Sequence, residues 1–191
     1  IKQLFDIAIN FWINSDPRWK TKVLNYLDNI KKDYKKLDKY KKEFFDKDFL
    51  ENPYPDSKIH YWDENKIIKK IIVWIDIEWP EILLVNEYNK KNNKNPIDLI
   101  IWHHPEWKAL IDLDKIMESI LPQVDYNFWV PINQSEKIND PRVWKVFRSI
   151  QPENSQRPIY FSKMLDIPFF WIHTPADNMC YSYIDNLIKK N

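Results

Sequence analysis

The first part of the chain repeats apolar residues at helical spacing. Residues 2–12 place their apolar side chains on one face of a helix, and residues 20–46 do the same over a longer, Lys-rich segment. A period of about 3.6 residues is typical of amphipathic helices. The stretch "NSDP" between the two segments should end the first helix, because a residue before proline avoids the helical conformation. We therefore predict a helical N-terminal region over residues 1–57, with its boundary near residues 50–58.

From residue 58 to residue 191, apolar β-branched runs alternate with helical segments. The runs "KIIKKIIVWIDIE", "PIDLIIWHH" and "IPFFWIH" predict strands, and "VPI" near residues 130–132 predicts a short one. The predicted helices occupy residues 80–92, 108–121, 134–150, 155–165 and 174–190. Strands that are apolar throughout are typical of parallel sheets covered on both sides. The sequence thus predicts an α/β fold: a mostly parallel sheet with helices on both faces, preceded by N-terminal helices.

Composition and charge narrow the class of protein. The 191 residues are 44% hydrophobic and 30% charged, which is ordinary for a folded domain. The net charge of +1 provides no strong field that would attract nucleic acid or an acidic membrane. The apolar runs fall far short of the roughly 20 residues that span a bilayer, and the first residues lack a secretory signal pattern. With a single cysteine, Cys180, which we expect in the core, these features predict a cytoplasmic protein.

The sequence contains no glycine and ten tryptophans. Average usage of about 7% would supply roughly thirteen glycines in a chain of this length. Glycine is the usual residue wherever the backbone needs a positive φ angle. Turns in this chain must therefore rely on Asn, Asp and Pro.

Candidate chemistry lies at the ends of three predicted strands. Asp76 ends the first, His103 and His104 end the second, and His173 ends the third, followed closely by Asp177. Sites in α/β sheets form beyond the carboxyl ends of the strands. Successive strand residues point to opposite faces, so the adjacent histidines suit two metal ions roughly 3.5–4 Å apart better than one. Imidazole and carboxylate ligands are compatible with zinc, iron, manganese or nickel and do not select among them.

The same residues also have structural interpretations. His103 and His104 could form a pair without a metal, and the sequence from Thr174 to Asp177 has the capping residue, early proline and acidic residue of a helix start. Asp76 could cap the next helix. Glu106 is typical of a solvated acidic residue in a loop. His60, in a Pro- and Tyr-rich loop, is typical of a structural histidine. The residue pattern alone leaves the metal site and the structural interpretation open.

Two sequence blocks resemble a known family. "KKIIVWIDIEWPEILLVNEYNKKNNKNPIDLIIWHHPE" resembles the opening metal-binding segment of the Ngg-interacting-factor-three-like proteins, also called dinuclear metal centre or GTP cyclohydrolase I type 2-like proteins. "DIPFFWIHTPADN" resembles the later strand of that family, which ends in His-Thr-x-x-Asp. The resemblance covers about residues 66–190.

The resemblance implies an α/β protein that binds two divalent metal ions and assembles into a homo-oligomeric ring. It places paired histidine ligands at His103 and His104 and an aspartate ligand at Asp177. The neighbours that it places beside these ligands are Asp76, Glu106 and His173. It also implies metal-dependent hydrolysis of a nucleotide-like or other small substrate, with a metal-bound water as nucleophile. The alternative is a non-catalytic interaction or assembly protein that retains the fold.

The sequence departs from the family pattern in two respects. The family completes its site with a His and a Glu from a later segment, and no histidine follows His173 here. We therefore expect at least one ion to be under-coordinated, or to be completed by a neighbouring chain or by residues outside this sequence. In addition, relatives tend to carry glycine or another small residue at four positions that are tryptophan here: Trp74, Trp102, Trp107 and Trp129. We hypothesise that many of the tryptophans replaced glycine, through engineering or through a gene read under another code.

Overall fold

One four-stranded sheet organises the part of the chain that the computed structural model describes, which comprises residues 1–63, 66–76, 78–104, 113–150 and 157–190. The strands are β1 (Lys58–Tyr61), β2 (Ile71–Trp74), β3 (Leu99–Trp102) and β4 (Phe169–Trp171). Their order across the sheet is β1-β4-β3-β2. Strands β2, β3 and β4 are parallel, and β1 is antiparallel to β4.

Helices fill the connections between the strands. Those before β1 are α1 (Lys2–Ile13), α2 (Lys20–Lys36), α3 (Lys39–Phe44) and a 3-10 helix (Lys47–Leu50). Those after it are α4 (Trp79–Lys91), α5 (Leu113–Asn127), α6 (Ile132–Ile150), α7 (Arg157–Leu165) and α8 (Thr174–Lys190). Within the described ranges, none of them combines the length and hydrophobicity that crossing a bilayer requires.

Successive residues of the central strands supply two separate cores. On one face, helices α4 and α7 pack over Ile100, Trp102, Phe169 and Trp171. On the other face, α1 and α5 pack over Leu99, Phe170 and Ile172. This alternation follows from the period of two in a β-strand. The prediction of an α/β sheet with helices on both faces is therefore confirmed.

Helix α1 belongs to the second core rather than lying apart from it. Phe5 is buried and meets Phe170 of β4 edge to face, with ring centroids 5.6 Å apart. Burying a phenylalanine side chain contributes about 1.5–3 kcal/mol, and an edge-to-face pair adds roughly 0.5–1.5 kcal/mol. The N-terminal helix thus helps to fix β4, the strand that precedes His173.

Some details of the sequence-based prediction were wrong. The sheet is mixed, not mostly parallel, because residues 58–61, expected in a loop, form the antiparallel edge strand β1 with a register shift near His60. The stretch "VPI" forms no strand, since Val130 and Pro131 link α5 to α6 and Ile132 begins α6.

Two further expectations differ from the structure. The segment 20–46 is not one helix but divides near Asp38, whose side chain accepts a hydrogen bond from the Lys41 backbone and caps α3. Cys180, expected in the core, is exposed. Its aromatic neighbours in the sequence suggested burial, but its position on α8 faces away from the sheet's two cores.

Candidate metal centre

Three histidines meet beyond the carboxyl ends of β3 and β4. His103 and His104 directly follow β3, and His173 lies just after β4. One ring nitrogen from each lies within 4.8 Å of the corresponding atoms of the other two. The ring centroids of His103 and His173 are 5.1 Å apart. Because β3 and β4 are parallel neighbours, the residues that follow them reach the same edge of the sheet.

The adjacent histidines share one side because the regular strand has already ended. Strand β3 stops at Trp102, so the alternation of strand faces no longer separates His103 from His104. Their backbone amides still donate to the carbonyls of Trp74 and Ile75, at 3.1 and 2.9 Å, which anchors them to the end of β2. Their ring centroids lie 4.9 Å apart. The expectation that the two rings diverge applies to a continuing strand, and the chain bends instead.

In each of the three rings, Nδ1 forms a hydrogen bond with an oxygen atom. His103 Nδ1 lies 3.1 Å from the carbonyl of Ile172, His104 Nδ1 2.5 Å from Asp76, and His173 Nδ1 2.8 Å from Asp56. A carbonyl or an ionised carboxylate only accepts, so in a neutral imidazole Nδ1 carries the proton and donates. Nε2 then holds the lone pair that a metal ion binds. All three rings could therefore offer Nε2 to a metal ion.

The carboxylate of Asp177 lies between two of these rings. Its oxygens are 3.3 Å from His103 Nε2 and 3.4 Å from His173 Nε2. Asp177 is in the first turn of α8, and its amide donates to the carbonyl of His173. The helix-start interpretation of this segment is thus compatible with a place in the cluster. The carboxylate could therefore hold a cation together with the imidazoles of His103 and His173.

Electrostatic coupling is visible in the pKa values of the pair. The hydrogen bond with Asp177 raises the pKa of His103 and outweighs the burial that lowers it. Burial raises the pKa of Asp177, but the hydrogen bond from His103 and the charges of His173, His103 and His104 lower it on balance. The centre therefore favours positive charge next to the Asp177 carboxylate.

The donor set fits a divalent transition-metal ion. Three imidazoles and a carboxylate are the nitrogen and oxygen ligands that zinc and related ions take in proteins. The carboxylates of Asp56 and Asp76 contact the rings at Nδ1 and that of Asp177 contacts them at Nε2, and all three would compensate a cation's charge. Of the three imidazoles, His104 is the most exposed, with 47% of its side chain open to solvent. The centre is thus accessible from the side of His104.

The structure brings most of the candidate residues together. Asp76, expected beside the ligands, contacts the ring of His104. His173, expected beside the ligands, is a member of the histidine cluster itself. Glu106 lies outside the described residues. Asp56 was not identified from the sequence, because it precedes both resembling blocks and no local pattern connects it with His173.

A solved crystal structure shares this fold. The chain is similar to a NIF3 superfamily protein from Sphaerobacter thermophilus, with a TM-score of 0.54 and 20% identity. The similarity covers 63% of this chain but only 41% of that protein, so the chain spans about two fifths of its length. No protein-family model and no curated protein sequence matches the chain. The likeness establishes the fold of the Ngg-interacting-factor-three-like proteins and confirms the sequence resemblance at that level.

Proposed function

We propose that the chain is a metal-binding member of the Ngg-interacting-factor-three-like family, with His103, His104 and Asp177 as ligands. One observation carries the proposal: three imidazoles converge, each with Nδ1 held by an oxygen, and thereby offer Nε2 to a cation. His173, equally close in the cluster, supplies a fourth donor. Asp76 and Glu106 are the proposed neighbours of these ligands.

The proposed cofactor is a pair of divalent ions, as the resemblance implies. The four donors found among the described residues are few for two ions, so we propose that further ligands come from another copy of the chain or from other segments of the protein. A homo-oligomeric ring is the assembly that the resemblance implies. The donor types are equally compatible with zinc, iron, manganese and nickel.

The proposed activity is hydrolysis of a nucleotide-like or other small substrate. A divalent ion in such a centre supplies Lewis-acid chemistry. A cavity of about 310 Å³ adjoins His173 and Asp177 and lies within the size range of small-molecule sites. Arg142 of α6 lines the same cavity, and a guanidinium suits recognition of phosphate or carboxylate. We therefore propose a small anionic substrate, processed in the cytoplasm.

Hydrolysis of a panel of nucleotides and phosphate esters, with added zinc or manganese, tests this activity. We expect Arg142→Ala to raise KM for an anionic substrate by about 10-fold or more, because its charged hydrogen bonds are worth about 1.5–3 kcal/mol. Lys145→Ala, also on α6, is the matched control and should leave KM unchanged. A chain that binds metal but hydrolyses no member of the panel would favour the non-catalytic alternative.

A further inference from the structure

Asp56 is a completely buried carboxylate at the base of the histidine cluster. Its Oδ2 accepts hydrogen bonds from His173 Nδ1 at 2.8 Å, from the Thr174 amide at 3.2 Å and from the Thr174 hydroxyl at 2.5 Å. The neighbouring Ser57 hydroxyl accepts from the amide of His173 at 3.0 Å. The loop before β1 therefore holds the junction between β4 and α8 through both the backbone and the imidazole.

This arrangement fixes the orientation and tautomer of His173. The bond to Asp56 keeps the proton on Nδ1, and Nε2 then faces the carboxylate of Asp177. A carboxylate behind an imidazole also makes the opposite nitrogen a better electron donor to a metal. Burying a carboxylate destabilises the fold unless its charge is compensated. A cation held by His173 would add to the compensation of the Asp56 charge.

We infer that Asp56 is the positioning residue of the metal centre: it holds His173 with Nε2 directed at the cation. This inference rests on the proposed function, since it assigns Asp56 a task in that same centre. The residue acts through His173 and makes no contact with the ion itself.

The test compares zinc affinity, measured by titration calorimetry, in the full chain and in Asp56→Asn. We expect the substitution to weaken zinc binding by about 10- to 100-fold. Thr174→Val is the matched control: it removes another donor to the same carboxylate oxygen but leaves the imidazole contact, and it should keep affinity within a few-fold. Equal zinc affinity in the wild type and Asp56→Asn would overturn the inference while the proposed function stands. A wild-type chain that binds no zinc would refute the proposed function and the inference together.

A nitrogen-15 NMR spectrum of the histidines adds a measurement that would not change if Asp56 had a purely structural role. We expect His173 of the metal-free wild type to carry its proton on Nδ1, and Asp56→Asn to change that tautomer. Should Asp56→Asn fail to fold, the wild-type spectrum decides, because a neutral His173 with its proton on Nε2 instead of Nδ1 would overturn the inference.

A second and independent observation concerns the backbone of two tryptophans. Among the described residues, Trp19, Trp129 and Asp166 have positive φ angles, of 68°, 67° and 51°. Trp19 combines its φ with a ψ of 138°, far from the left-handed well at ψ of about +30 to +60° that other residues occupy. Trp129 is 94% exposed, so burial does not compensate its conformation. Both positions favour glycine, in a chain that contains none.

We propose that glycine occupies positions 19 and 129 in the chain made by its native cells, the gene there having a codon that different genetic codes read as Trp or Gly. The codon UGA has this property, whereas UGG denotes Trp in every code. We therefore expect UGA at both positions, and tandem mass spectrometry of the native protein to show glycine. A UGG codon at either position, or tryptophan in the native peptide, would overturn the proposal.

A stability measurement on the recombinant chain tests the conformational basis separately. We expect Trp129→Gly to raise Tm by about 2–4 °C relative to Trp129→Ala, because glycine has no Cβ and adopts a φ of 67° with less strain than alanine. The reverse order of the two variants would contradict that basis.

Discussion

Asp177 Oδ1 lies 3.3 Å from His103 Nε2 across the junction of two different strand ends. The contact exists because β3 and β4 are parallel neighbours and α8 begins directly after β4. It joins a residue of the first resembling block to a residue of the second. In the absence of a metal it is an ion pair when His103 is protonated, and under the proposed function both groups become ligands in the presence of a metal.

The stability that this contact gives to the metal-free chain and the stability that bound zinc adds should depend on pH in opposite ways. In the metal-free chain the raised pKa of His103 means that its contribution is complete below about pH 6.5, the unfolded value, and is lost as pH rises through the folded pKa. The lowered pKa of Asp177 makes its contribution complete above about pH 4 and lost in stronger acid. We therefore expect wild type to lose more stability than Asp177→Asn between pH 6 and pH 9, roughly, by less than about 1 kcal/mol because the pair is partly exposed.

Urea unfolding in EDTA, repeated with saturating zinc, measures both dependences. Zinc requires deprotonated ligands, so its stabilising effect should increase over the same rise in pH. Identical pH profiles for the wild type and Asp177→Asn in EDTA would contradict the ion pair.

Asp76 should matter less to the centre than Asp56 does. Its bond to His104 is short, at 2.5 Å, but the Asp76 side chain is 80% exposed and water can replace it. We expect Asp76→Asn to weaken zinc binding by less than about 10-fold, below the range for losing a buried partner of a ligand. Titration calorimetry on both variants checks this order, and a larger loss in Asp76→Asn would contradict it.

The N-terminal helix should be indispensable to the sheet. Phe5 is only 2% exposed and packs on Phe170, so Phe5→Ala should lower the free energy of unfolding by about 3–5 kcal/mol. Phe11, on the same helix but 55% exposed, is the matched control, and Phe11→Ala should cost less than about 1 kcal/mol. Denaturant unfolding measures both, and equal losses would mean that α1 does not share the core.

A buried ion pair, Asp16 with Arg18, lies in the segment between α1 and α2. Asp16 is hydrogen-bonded to Arg18 and to the hydroxyl of Tyr54, each at 2.8 Å. Burial of the Tyr54 ring and the charge of Asp16 raise the pKa of Tyr54, so it remains a donor. Arg18→Ala leaves the buried Asp16 carboxylate without its cation and should cost about 3–5 kcal/mol.

Lys36→Ala is the control for that substitution, since it breaks an exposed pair with Asp33 and should change stability by less than about 1 kcal/mol. Chemical unfolding of both variants measures the two losses of stability. A loss for Arg18→Ala as small as that for Lys36→Ala would show that the buried pair contributes little.

The sequence predicted those parts of the fold that have a strong local pattern. Helix α1 was expected over residues 2–12 and occupies Lys2–Ile13, because its apolar spacing and the following proline both act locally. Strand β1 was missed because it is four residues long, and its conformation comes from pairing with β4 rather than from its own composition.

The candidate site was likewise predictable only where a local sequence pattern marks its residues. His103, His104 and His173 follow buried strands, and the tendency of sites to form beyond the carboxyl ends of parallel strands predicts that they lie together. The contact between Asp56 and His173 joins distant parts of the chain, and no periodicity or spacing encodes it. The bend that turns His103 and His104 to one side is likewise a property of the tertiary fold, because it depends on where β3 stops.

The metal content of the purified chain tests the central proposal most directly. The chain is stripped with EDTA, reloaded with zinc, dialysed, and analysed for zinc per chain as the wild type, as His103→Ala and as His60→Gln. His60, the fourth histidine, lies on β1 outside the cluster and is the matched control. We expect two ions per wild-type chain, retained in His60→Gln and lost in His103→Ala. No stoichiometric zinc in the wild type, or the same content in all three chains, would contradict a metal centre at these histidines.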